Sequence, residues 1–124
     1  MESNRCNFEQ SKALKALGYN VPVHNWFDVE GKAFVSDNGT THANDRHNHI
    51  SRPAIQDAIR FFRVEKGIHG WVESNWYVEG FQFLFSIGTS FYPWKQTFEG
   101  FKSHDSAENA LLNRLIEISN QEKA

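Results

Sequence analysis

The sequence predicts an α+β fold in the order α-β-β-α-β-β-β-α: an antiparallel sheet of three C-terminal strands packed by about three helices, with an N-terminal hairpin either joining that sheet or standing beside it. Three observations lead there. Phe81, Phe83, Phe85 and Ile87 alternate with Gln82, Leu84 and Ser86, the two-residue period of a strand with one apolar face. The stretches around residues 53–66 and 104–120 instead repeat apolar residues at three and four, the helical period. A length of 124 residues fits one domain, and runs of strands flanked by helices form layers around a single core.

Each element can be justified in turn. Phe8, Ala13, Leu14 and Leu17 share a helical stripe, and Gly18 is a helix stop. Val23 to Asp28 and Lys32 to Ser36 are rich in β-branched and aromatic residues, and Val29-Glu30-Gly31 supplies the turn between them. From Asp37 to Ser51 the apolar pattern gives way to Asp37-Asn38-Gly39, Asn44-Asp45 and Asn48, so a long polar loop is expected at 37–51. Ser51 or Arg52 caps the next helix, Pro53 occupies its first turn, Ile55, Ala58, Ile59 and Phe62 form its stripe, and Gly67 ends it. Ile68 to Val78 and Phe81 to Ile87 read as strands joined by a tight Glu79-Gly80 turn. A third strand falls between Phe91 and Phe98, where Pro93 argues for an edge position or an interruption. The last helix runs from about His104 to Asn120, with Ser103 as cap and Ala107, Leu111, Leu115 and Ile118 as buried stripe.

Composition narrows the function. No stretch approaches the roughly 20 apolar residues of a membrane span, and the start, with Glu2, Asn4 and Asn7, lacks the apolar core of a signal peptide. Cys6 is the single cysteine, so no intrachain disulfide forms and a reducing, cytoplasmic setting is expected; its position suggests a frayed N-terminus. A net charge of −2 with interspersed signs creates no long-range attraction for nucleic acid or anionic lipid. With 15% aromatic residues, the chain holds more large rings than so small a core is expected to hide.

The segments FEQSKALKALGYNVPVHNWFD (8–28), ISRPAIQDAIRFFRVEKGIH (50–69) and FKSHDSAENALLNRLIEI (101–118) resemble, in order and spacing, a group of small proteins common in gut-bacterial genomes and their prophages, for which no activity is known. The match covers most of the chain and skips the polar loop; Phe61 and Phe62 stand where the group shows a tryptophan, and Glu65 is displaced from its pairing with Arg63. The resemblance implies a mobile-element or accessory protein and carries no chemistry to transfer.

Three binding readings follow from the residues, in this order. Trp71, Trp76, Tyr77, Tyr92 and Trp94, with Phe91, gather around the strand ends, and such rings are enriched at protein interfaces, so a protein partner or a homodimer is expected; packing into the core is the plainer fate of any one ring. His42, Asp45, His47 and His49 crowd one loop, and His-x-His on extended chain presents two imidazoles to one side, a donor set sufficient for zinc or nickel; the plainer reading is a solvated polar loop. Gln56, Arg60 and Arg63 line one outer helix face, and helix, three strands, helix is also the order of double-stranded RNA-binding domains. Ser103, His104, Asp105 and Ser106 open the last helix where phosphate binding wants lysine or arginine, so nucleic acid ranks last. No nucleophile elbow, glycine-rich loop or close carboxylate pair is present, and the chain is read as a non-enzyme without a required cofactor.

Overall fold

The computed structural model describes residues 4–35, 39, 43–45, 48–77, 80–89 and 92–123. The fold is α+β, with two separate three-stranded antiparallel sheets. The chain divides into two compact units, residues 1–58 and 59–124.

The N-terminal unit opens with α1 (Phe8–Ala16). Its start is a capping box: Asn7 Oδ1 accepts from the Gln10 amide at 2.8 Å, and Gln10 Oε1 accepts from the Asn7 amide at 2.9 Å. Gly18, at φ 93°, stops it as expected, because a left-handed residue there lets the Tyr19 amide reach the Leu14 carbonyl at 2.9 Å. Leu14 and Tyr19, five residues apart around this turn, are both fully buried.

The predicted hairpin is present as β1 (Asn25–Asp28) and β2 (Ala33–Val35), held at its turn by Asp28 Oδ1, which accepts from the Glu30 and Lys32 amides. It does not join the C-terminal strands. It builds its own sheet, order β2-β1-β3, with a strand inside the expected loop: β3 (His49–Ser51) pairs Asp28 with His49, Phe27 with Ile50 and Trp26 with Ser51. A three-residue strand with one apolar side chain has no period to read; its partner creates it. Asn44, in a 3-10 turn at Ala43–Asp45, ties the loop inward, donating to the Tyr19 carbonyl and accepting from the Ser51 amide, each at 2.7 Å. It is therefore a structural residue and not an ordinary loop residue.

Residues 4–6 are not frayed. The Cys6 amide donates to the Pro53 carbonyl at 3.0 Å, the Ile55 amide donates to the Asn4 carbonyl at 2.9 Å, and Arg5 bridges Ala54. This pairing also shifts the second helix. Ser51 belongs to β3 and Ala54 to a β-bridge with Arg5, so α2 (Ile55–Phe61) begins two residues beyond Pro53. The N-terminal segment thus occupies the backbone of residues 53–55 just where the helix would otherwise open.

After α2 the backbone widens to a π-helical turn at Phe62–Lys66, closed by Gly67 at φ 67°, whose amide returns to the Phe62 carbonyl. Three ten-residue strands follow: β4 (Ile68–Tyr77), β5 (Gly80–Thr89) and β6 (Tyr92–Phe101). The sheet order β4-β5-β6 puts Pro93 on an outer strand, as its missing amide requires. α3 (His104–Lys123) packs against all three strands. Gly70 shows how closely: a Cβ built there would lie 2.6 Å from Leu111 Cδ1. Since Gly70 pairs with Ile87, the face bearing Phe83, Phe85 and Ile87 is the one α3 covers, as the alternation demanded. Leu84 and Ser86, of the opposite parity, are buried as well. The helix stripe also differs from expectation: Ala107, Glu108, Leu111, Leu112, Leu115, Ile116 and Ser119 are buried, and Ile118 lies at its half-buried margin.

Candidate functional site

The histidine set expected in the loop is only partly visible. His42 and His47 lie outside the described residues, as does the side chain of Asp45, whose backbone belongs to the 3-10 turn. His49 has a defined place. Its ring stacks on Trp26 at 3.8 Å between centroids, and Trp26 stacks in turn on Phe34 at 4.5 Å, giving a row of three half-buried rings across β2, β1 and β3. The register makes this row, because Trp26 faces Phe34 directly and His49 diagonally. Both faces of the indole are thereby covered. The His49 carbonyl accepts from Lys15 Nζ at 2.7 Å, fixing β3 to α1. Trp26 and Phe34 escaped selection from the sequence, since their adjacency to His49 depends on a strand with no sequence signature.

A second histidine group, not singled out as a metal site from the sequence, lies at the start of α3. Ligand atoms of His104, Asp105 and Glu108 fall within 4.8 Å of one another, and His104 Nδ1 stands 3.3 Å from Glu108 Oε1. The chemistry of this donor set does not favour a cation. The three residues occupy the first turns of a helix, where the backbone presents positive potential, and the buried Glu108 carboxylate already has the imidazole beside it. Ser103 Oγ accepts from the Ser106 amide at 3.1 Å, completing the helix start predicted for Ser103.

On the C-terminal sheet, Trp76 and Tyr77 belong to β4 and Tyr92 and Trp94 to β6, with side chains outside the described residues. Their backbones do not meet at one end. Tyr77 pairs with Gly80 and Tyr92 with Thr89, opposite ends of β5, roughly 30 Å apart at strand rise. Trp71 is the described ring of the set. It is half-buried, and its indole N–H donates to Glu73 Oε1 at 2.6 Å. Because Gly70 points at Leu111, the odd-numbered side chains His69, Trp71 and Glu73 stand on the face away from α3, and His69 and Glu73 are exposed. Gln56, Arg60 and Arg63 are exposed. Gln56 and Arg60 lie in α2 and Arg63 in the π-helical turn that follows it.

Cys6 offers no nucleophile. It is fully buried, and burial pushes its thiol up to about 12, despite the opposing Arg52 guanidinium. Tyr19 is likewise raised by burial, with the charge of Asp57 adding to the effect. Among the described residues no helix is long and apolar enough to cross a membrane. No protein-family model, curated protein or solved structure matches the chain.

Proposed function

We propose that this chain is a small accessory or phage-associated protein of the cytoplasm that works by binding protein, through the outer edge of β4 and the Trp71 side chain on it. One observation carries the reading. β4 is an outer strand of ten residues with no proline, no lysine and an unbroken register against β5, whereas β6, the other outer strand, holds Pro93 and Lys95 and has two register shifts. Proline, lysine and bulges are the devices that keep an edge from accepting another strand. β6 has all three and β4 has none, so β4 is the edge suited to strand addition. Trp71 supplies the anchor: a large ring on that strand, half-exposed and held in orientation by Glu73. The resemblance to prophage-borne proteins supports the accessory role, and a single buried cysteine suits a reducing cytoplasm.

The test is site-specific photocrosslinking in living cells, with a benzophenone amino acid at position 71 and, as control, at Asn113 on the exposed side of α3. Protein adducts are expected from position 71 and not from position 113. Equal labelling at the two positions, or none at 71, would refute the reading.

A further inference from the structure

We infer that the partner at this edge is a second copy of the chain, docked by antiparallel pairing of β4 with its symmetry mate about a two-fold axis through Trp71. The inference rests on the proposed binding role of β4 and adds the identity and register of the partner. In such a pairing residue i faces residue 142 − i of the other copy, so Trp71 faces Trp71, His69 faces Glu73 and Glu73 faces His69. All three stand on the face away from α3, and directly opposed side chains on one face of an antiparallel pair have Cβ atoms about 5 Å apart. The row His-Trp-Glu thus reads, against itself reversed, as Glu-Trp-His. An isologous interface must be complementary to itself, and this segment is, since an imidazole that can donate faces a carboxylate that accepts on both sides of the axis.

The other face agrees. Gly70 meets Val72, a residue without a side chain opposite one that fills space, and Ile68 meets Ser74. Tyr77 aside, His69 and Glu73 are the ionisable residues of β4, and moving the axis by one residue in either direction loses their mutual pairing. Glu73 serves both contacts through separate oxygens, one accepting from the Trp71 indole within the copy and one facing His69 across the axis. Joining the two sheets through β4 gives a continuous six-stranded sheet whose outer strands are both β6, the strand carrying Pro93 and Lys95.

The experiment is sedimentation equilibrium of the full chain and three variants, with far-UV circular dichroism verifying that each is folded. The wild type is expected to dimerise. His69→Glu places two carboxylates opposite each other twice per dimer and is expected to weaken association by about tenfold or more, as is Glu73→Lys. The double variant, His69→Glu with Glu73→Lys, places opposite charges across from each other at both positions and is expected to recover the dimer. Trp71→Cys, on the axis, is expected to form an intermolecular disulfide under mild oxidation, where Val64→Cys, exposed elsewhere, does not. A wild type that stays monomeric up to about 1 mM overturns the proposal, as does a double variant no better than the single ones. Photocrosslinking separates this failure from that of the binding role: adducts at position 71 with the mass of another protein retain protein binding and remove self-association, and no adduct removes both.

Discussion

Gly70→Ala is the substitution whose consequence can be worked most directly from the structure. The new methyl carbon would lie 2.6 Å from Leu111 Cδ1 and 3.3 Å from Cδ2 and Cγ, the first well inside van der Waals contact. Backbone strain plays no part, since Gly70 is not among the glycines with positive φ. Leu111 has nowhere open to move, being fully buried with Leu112 and Leu115 on the same helix. Overpacking of this kind costs about 1–3 kcal/mol. Alanine also restricts the unfolded chain, which returns roughly 0.4–1 kcal/mol. The expected net loss is therefore about 1–2 kcal/mol, and with a urea m-value of about 1–3 kcal/mol/M the unfolding midpoint should fall by roughly 0.3–2 M. Leu111→Ala alone should cost about 2–5 kcal/mol by leaving a cavity. In the double variant the new methyl enters space that the leucine has vacated, so the two losses should sum to more than the double loss by about 1 kcal/mol. Equilibrium unfolding monitored by tryptophan fluorescence and circular dichroism reads both quantities. A neutral Gly70→Ala, or strict additivity with Leu111→Ala, would refute the close approach of α3 to β4.

Two further outcomes follow from the N-terminal unit. Cys6 holds its proton more tightly in the folded state, with its value raised from 9.0 to about 12, so the associated stability is present below pH 9 and lost as pH rises from 9 toward 12, at up to about 1.4 kcal/mol per pH unit. Urea midpoints between pH 8 and 10.5 should show this slope, flatter in Cys6→Ala, and the native thiol should resist aromatic disulfide reagents until the chain unfolds. Asn44→Ala removes two 2.7 Å hydrogen bonds, leaves the Ser51 amide without its acceptor, and should cost about 1–3 kcal/mol; amide exchange at Ser51 should accelerate by more than that at Phe27 in the neighbouring strand.

What the sequence revealed and what it concealed divide along a physical line. Gly18, Gly67, Pro93 and Ser103 act through their own backbone or the next few residues, and each sits where its chemistry placed it. The Phe83, Phe85, Ile87 alternation identified the covered face for the same reason, since the period belongs to the strand itself. Features created by partners distant in sequence were hidden. β3 is a strand because β1 lies beside it, and α2 starts at Ile55 because Asn4 and Cys6 claim Pro53 and its neighbours. The Phe34, Trp26, His49 row depends on both registers at once. At the β4 edge the two kinds of information meet: Trp71 is conspicuous in composition, but the roles given to His69 and Glu73 need the helix-covered face to be known first.

The clasp between residues 4–6 and 53–55 has a kinetic consequence. Asn4 and Ile55 are joined across a long stretch of chain, and closing a loop of about 50 residues costs on the order of 3.5 kcal/mol of chain entropy, recovered only when both ends are present. During synthesis, residues 4–6 leave the ribosome about 50 residues ahead of their partners and must therefore wait for Pro53 and Ile55 before Cys6 can be sealed in. Until then the thiol that is inert in the finished protein is open to solvent. The chemistry of Cys6 is thus a clock on the assembly of this unit, and its reactivity on nascent chains of increasing length would mark the moment the N-terminal fold closes.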